Sequence, residues 1–313
     1  MILFDTLDLC LAVMVLGVAA WTVAAREMFS AVVGYVAYGL LLAIVWVRLH
    51  APDVALTEAA IGGGVTGVLL VTAAARIGRL PVSDRPAGLG LKIAAGLLSI
   101  LVASALAAAV LYLPDPAPSL APDADRALAA TGLGNPVTAV LIAYRSFDTM
   151  LEKVVLVLAV VGVWSVAPDG FWGGRPAPLG RAEPDAALVF LARVLAPIGI
   201  VIGVEMFWVG ADEPGGAFQG GAILAAMWML VMMARLKEPP RIGGRGLRLA
   251  LISGPAIFLI IGLLGPFMGG SFFAYPAGFA KPIILFIEAF MVLSIAVTLP
   301  LLVAGPPGRE GDR

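Results

Sequence analysis

Nine stretches of roughly twenty mostly apolar residues punctuate this 313-residue chain, and a helix needs about 20 such residues to cross the hydrocarbon core of a bilayer. They fall at about 6–25, 28–47, 55–75, 91–112, 147–166, 187–209, 216–234, 247–267 and 281–303. The expected fold is therefore an all-α polytopic membrane protein with about nine transmembrane helices. Composition agrees, since 61% of the residues are hydrophobic and 13% charged, far more apolar than soluble domains. Pro114, Pro116 and Pro118, and later Pro239 and Pro240, set the firmest boundaries, because an X-Pro unit disfavours continued helix.

Basic residues in short loops set orientation. With the N-terminus outside, fourteen fall inside: Arg26, Arg76, Arg79, Arg85, Lys92, Arg175, Arg181, Arg235, Lys237, Arg241, Arg245, Arg248, Arg309 and Arg313. Only four, Arg48, Arg126, Arg145 and Lys281, fall outside, so the expectation is N-out and C-in. Trp21, Trp46, Trp164, Trp172 and Trp208 stand near the ends of the stretches, where amphipathic rings prefer to sit. Asp5 and Asp8 occupy the place of the basic region that a cleaved signal peptide requires, so none is expected.

Some chemistry is excluded at once. The single Cys10 permits no intrachain disulfide and no cysteine metal cluster. The single His50 builds no histidine metal site or relay by itself and reads as an ordinary interfacial residue. Two polar, proline-rich segments, 78–90 and 167–186, divide the chain into expected sections at 1–80, 81–170 and 185–313. No internal repeat is evident, which speaks against a stand-alone carrier built of inverted halves.

Ionisable groups at membrane depth are costly and by default mark an ion or proton route. Four glutamates stand inside the apolar stretches: Glu58, Glu152, Glu205 and Glu288. Glu58 follows Pro52 and Asp53, which suit a first helical turn, and precedes Gly62, Gly63, Gly64 and Gly67. Those glycines permit close helix approach, and their run also weakens the regular ladder in the way that π-bulges exploit. Arg145, Asp148 and Glu152 are spaced to share a helix face, with Arg145 and Asp148 reading as a self-satisfied pair. Glu152 and Lys153 are adjacent and diverge by about 100° on a helix, so each is expected to need a partner elsewhere. Glu205 precedes the loop from Gly210 to Gly221, in which Pro214, Gly215, Gly216, Gly220 and Gly221 stand out. That loop lacks a lysine and follows no strand, so a phosphate cradle is not expected. Instead Gly216 and Gly220 read as a small-xxx-small helix contact, and Asp212, Glu213 and Gln219 as a polar vestibule. For Glu288 the plain structural reading is a protonated acid satisfied by a neighbouring carbonyl.

Three of these segments resemble known families in order along the chain. Arg48-Leu-His-Ala-Pro-Asp-Val-Ala-Leu-Thr-Glu-Ala-Ala-Ile-Gly resembles the D subunits of membrane-bound hydrogenases, a family that also forms the C-terminal part of the large A subunit of Mrp-type cation/proton antiporters. Asn135-Pro-Val-Thr-Ala-Val-Leu, with Arg145, Asp148, Thr149 and Glu152, is similar to the adjoining E-type section. Pro214-Gly-Gly-Ala-Phe-Gln-Gly-Gly-Ala-Ile-Leu, with Gly269, Gly270, Phe273, Pro282 and Glu288, resembles the antiporter B subunit domain (MnhB-like). Ala217 stands where that family has a third glycine, and Asp212 and Glu213 stand where it has a histidine. The long ion-pumping part of the A subunit has no counterpart in these residues, so an accessory subunit is expected rather than a whole antiporter.

The resemblance implies a multi-pass component of the prokaryotic cytoplasmic membrane, related to the membrane arm of complex I. Its partners would be large antiporter-like subunits and lipid, with no nucleic acid and no cofactor beyond transported Na+ or protons. Glu58 and Glu152 would belong to a hydrophilic route, with Asp148, Lys153 and Asp53 as neighbours and Glu205 and Glu288 in the B-type section. It would not be an enzyme. Two other readings remain open on sequence: a part of an energy-converting complex, such as a membrane-bound hydrogenase, a related oxidoreductase or an ion-driven inorganic carbon uptake system, and a structural scaffold that transfers no ion.

Overall fold

The computed structural model describes residues 2–77, 88–114, 116, 118–179 and 183–308. The expected section boundary near 80, Arg79, Arg85, Arg181, Arg309 and Arg313, and the side chains of Asp5 and Arg76, lie outside the described residues.

Helices occupy every one of the nine expected stretches. The first hairpin is α1 (Ile2–Ala24) and α2 (Met28–Arg48), closed at its far end by Arg48 and Asp8, 2.6 Å apart. Next, α3 (Pro52–Glu58) passes into a π-helical stretch, Ala59–Val65, and on into α4 (Thr66–Ile77). After α5 (Leu89–Leu111) comes a short amphipathic helix, α6 (Ala121–Thr131). The chain then re-enters through α7 (Pro136–Thr138), a second π stretch, Ala139–Tyr144, and α8 (Ser146–Ser165). The last four helices are α9 (Ala186–Val209), α10 (Ala217–Met233), α11 (Arg245–Met268) and α12 (Ala280–Ala304). This is an all-α polytopic architecture.

Seven of the helices or joined helices are long and apolar enough to cross a membrane among the described residues. Of the nine expected stretches, two fall short of that measure of length and composition, for identifiable reasons. Three charged residues, Asp148, Glu152 and Lys153, interrupt the apolar run of α8, and α10 has only 17 residues because a glycine turn occupies the start of its stretch. The apolar pattern also gives no sign of α6, which bends by 92° against Pro136–Tyr144 through a turn where Gly132 has φ 69°.

The core lies where the C-terminal section meets α8. Helix α12 runs through its middle, packed on α10, α11 and α8, and α9 closes the far side of α10. One apolar cluster joins Ile142 and Met150 to Phe258, Ile287 and Met291. A second brings Val65 from the first π stretch against Ala225, Met229, Ile295 and Leu299, so the N-terminal section docks on α10 and α12. By contrast α5 buries none of its residues.

Close approach explains several of the singled-out glycines. Gly39 of α2 lies so near the π stretch that a Cβ there would stand 3.0 Å from the backbone of Gly62. Gly63 packs on Leu40 and Gly67 on Val36, whereas Gly64 faces only its own helix, at Ala59. Of the expected small-xxx-small contact between helices, Gly220 takes part and Gly216 does not. Gly220 meets Gly203 of α9, while Gly221 faces Ile295 of α12. Gly216 instead caps α10 at φ 121°, a backbone setting that essentially only glycine adopts. A Cβ on Gly220 would stand 2.6 Å from the Gly203 carbonyl oxygen. Gly220→Ala is therefore expected to cost about 1–3 kcal/mol by prising α9 from α10. Thermal unfolding in detergent checks this, and an unchanged midpoint would refute the close packing.

Lone His50 has a backbone role. It ends α2 in the left-handed conformation, φ 57°, with its N–H donating to Val47.

Candidate functional site

The site is built around the N-terminus of α10. The turn from Gly210 to Gly216 folds back tightly, with the Gly216 N–H donating to Met206 at 2.8 Å. The first amides of a helix lack intrahelical acceptors and carry positive partial charge, so acceptors gather there. Asp53 of α3, 8% exposed, accepts from Gly215 N at 2.9 Å and from Asn135 Nδ2 at 3.4 Å. Its carboxylate thus serves amides of a distant loop instead of those of its own first turn. Glu288 of α12, 2% exposed, accepts from Ala217 N at 3.3 Å through Oε1. Its Oε2 is buried and has no hydrogen-bond partner.

Lys153 enters from α8. Its side chain is 3% exposed, and its ammonium lies 5.1 Å from the centre of the Phe218 ring, in the cavity that Glu288 also lines. It also reaches Glu152 Oε1 at 2.7 Å, which overturns the expectation that these neighbours stay apart. Their Cα–Cβ bonds diverge, but the four-carbon stem of lysine is long enough to bend back across the helix. The pair is asymmetric, because the Glu152 side chain is 51% exposed while the ammonium points inward. Glu152, Lys153, Glu288, Asp53 and Gln219 all line one cavity of about 430 Å³.

The backbone around the cavity is irregular and compensated. The second π stretch releases carbonyls, and side chains take them up: Thr149 Oγ1 donates to Leu141 O at 2.7 Å, and Tyr275 to Ile142 O at 2.9 Å. Ser146 donates to Ile142 O as well. Burial in the loop before α12 pushes the Tyr275 phenol up to about 12, which keeps it a donor. Non-helical backbone at membrane depth is tolerated where it lines a cavity.

The remaining sequence candidates lie elsewhere. Asp148 pairs with Arg145 at 2.6 Å and borders a separate opening beside Phe272 and Tyr275. The Glu58 carboxylate folds over Gly62 and Gly39, between α2 and the first π stretch. Glu205 sits exposed near the end of α9, with no ion pair among the described residues. Of the expected vestibule, Asp212 binds Lys281 at 2.6 Å, whereas Gln219 is buried and donates to Thr57 Oγ1 at 3.0 Å and to Asp53 O at 3.3 Å. Asn135 and Thr138, which sequence reading did not assign to the site, bind the α9–α10 turn. Asn135 Nδ2 donates to Glu213 O at 2.9 Å, and Thr138 Oγ1 to Gly210 O at 2.6 Å. The signal available for Asn135 was its place before Pro136, a helix-start signature, and it does accept from Val137 N at 2.8 Å.

A half-exposed carboxylate at the mouth, a buried ammonium behind it and a buried carboxylate oxygen without a partner form a file of groups that can take up and pass on a proton or small cation. The long apolar helices around these groups are those of a multi-pass membrane protein. Its parts have known relatives. Residues 13–79 match the MbhD family model, the D subunit of MBH, and residues 187–305 match the domain related to the MnhB subunit of Na+/H+ antiporter. The chain thus joins an MbhD-type segment to an MnhB-related domain in one polypeptide.

Among curated relatives, uncharacterized protein MJ1307 of Methanocaldococcus jannaschii is 30% identical over 151 residues, covering 44% of this chain and 58% of that protein. The putative antiporter subunit mnhA2 of Staphylococcus epidermidis is 28% identical over 164 residues, covering 52% of this chain and 20% of that one. The solved Mrp complex from Dietzia sp. DQ12-45-1b shares the fold, with a TM-score of 0.72 and 24% identity, over 97% of this chain and 35% of that chain. The membrane-bound sulfane sulfur reductase, an archaeal respiratory membrane complex, matches with a TM-score of 0.56 and 26% identity, over 68% of this chain and 97% of that chain.

Proposed function

We propose that this chain is an accessory membrane component of a multi-subunit Mrp-type cation/proton antiporter in a prokaryotic cytoplasmic membrane. It has no enzymatic role. In this reading it fuses a D-type section, 1–80, an E-type section, 81–170, and a B-type section, 185–313. The observation that carries the ionic role is the unpartnered Oε2 of Glu288 in one cavity with the Lys153–Glu152 pair. Glu152 faces the flank of the molecule, where a large antiporter-like partner would continue the route, while Glu58 would serve a neighbouring segment between α2 and α3. Inverted vesicles holding the complex with and without this chain test the reading, by collapse of a pH gradient on adding Na+. Loss of exchange without the chain is expected, and equal exchange would overturn it.

The likeness to the sulfane sulfur reductase complex favours a second reading, the same helices in a redox-driven membrane arm. Purification of the native complex separates the two, since redox subunits would accompany the chain only in the second.

In this reading the chain is N-out, as the basic residues of its loops suggest, and its loops sort to two ends of the bundle. Asp212, Lys281, Gly134 and Asp53 gather at one end of the bundle, and Arg175, Glu238 and the backbone pairs of Gly173 with Gly243 and Gly174 with Ile242 at the other. Impermeant maleimide is expected to label Arg126→Cys in intact cells lacking Cys10, and Lys237→Cys only after permeabilisation. The reverse pattern would invert the topology.

A further inference from the structure

At the end of the bundle opposite Lys281, three connecting segments brace one another. The Ile242 N–H donates to Gly174 O at 2.9 Å and the Gly243 N–H to Gly173 O at 3.2 Å, and Pro176 is bridged to Pro307 just past α12. Ile242 is fully buried in an apolar cluster with Val160, Trp164 and Leu301, which anchors the backbone one residue from Arg241. A cavity of about 430 Å³ lies in this brace, walled by Gly170, Phe171, Trp172, Gly173, Gly174, Arg175 and Arg241. None of these seven residues is acidic. Arg175 is held by Glu238, whose side chain is 77% exposed, and no carboxylate pairs with Arg241 among the described residues.

We propose that this cavity binds the phosphate group of an anion. A guanidinium presents a rigid planar fork of donors that matches phosphate oxygens bidentately, and the cavity has two of them against one outlying carboxylate. Gly170 in its wall faces open space where a Cβ would stand, which leaves room for a ligand beside the backbone. The cavity begins just beyond the end of α8 and just before the start of α11, so it sits at headgroup depth. Trp172, 52% exposed, supplies an amphipathic ring at that level. Basic pockets at the ends of membrane helices are suited to anionic headgroups. A phospholipid headgroup and a soluble phosphate share this chemistry.

The test uses the detergent-purified, delipidated complex and follows its thermal midpoint on adding phosphatidylglycerol, phosphatidylcholine or inorganic phosphate. A rise with phosphatidylglycerol alone assigns a lipid headgroup, and a rise with inorganic phosphate assigns the soluble anion. In either case Arg241→Gln and Arg175→Gln are expected to weaken the half-saturating concentration by about tenfold, the scale of one charge-assisted contact, while Lys237→Gln leaves it unchanged. Glu238→Gln keeps the proposal testable if the arginine variants fail to assemble, because freeing Arg175 is expected to tighten binding. No response to either anion, equal loss in Lys237→Gln, or no tightening in Glu238→Gln would each overturn the site.

Discussion

Glu288→Gln is expected to cut Na+-dependent proton exchange by the assembled complex about a hundredfold, the lower end of what removing a proton-transferring side chain costs. The amide is nearly isosteric, and its oxygen can go on accepting from Ala217 N, where the carboxylate now sits at 3.3 Å. Assembly should therefore persist. What disappears is the exchangeable proton and the negative charge facing Lys153. Glu205→Gln is the contrasting control: that side chain lies exposed on α9, away from the cavity, and exchange should stay near the unsubstituted level. Gradient collapse in inverted vesicles, normalised to complex content, decides. Undiminished exchange in an intact Glu288→Gln complex would remove Glu288 from the route.

Much of the scaffold was legible because lipid enforces simple rules. Helix positions followed from apolar length, and the first π stretch from the run of Gly62, Gly63 and Gly64 after Glu58. The charged residues of the candidate site stood out one by one but not as an assembly, and Asn135 and Thr138 did not stand out as part of it. Glu288 and Lys153 stood out as charges in apolar runs, yet nothing local told that α8 and α12 would set them in one cavity. Asp53 and Gly215 meet across 162 positions, a pairing that tertiary packing alone decides. Glu58 and Glu152 read as equivalents because both lie in recognisable motifs, but the packing of α2 on the first π stretch turns Glu58 toward Gly39 and away from the cavity. Helix α6 escaped notice for a different reason. Its residues are alanine-rich and polar, with no apolar run, and it lies outside the span-length pattern that located the others.

Lys153→Met is expected to destabilise the complex by about 3 kcal/mol, the low end for stripping one partner from a buried charge cluster. The low end applies because Glu152 is half-exposed and can be solvated once the ammonium is gone. Glu288 has no such recourse: at 2% exposure it keeps only the Ala217 amide. Glu288→Gln alone should cost less, about 1 kcal/mol, since Lys153 retains Glu152 at 2.7 Å. If the two charges face each other across one cavity, the double variant Lys153→Met/Glu288→Gln should be less damaged than the sum of the singles by about 1–2 kcal/mol. Strict additivity would mean that the charges do not sense each other. Exchange measured on the same four complexes then separates a route from a brace. A scaffold predicts that exchange recovers with stability in the double variant, because only packing was at stake. A relay predicts that stability partly returns while exchange stays lost, because the two groups proposed to carry the proton inward from Glu152 are both gone and the other carboxylate of the cavity, Asp53, is held by Gly215 N.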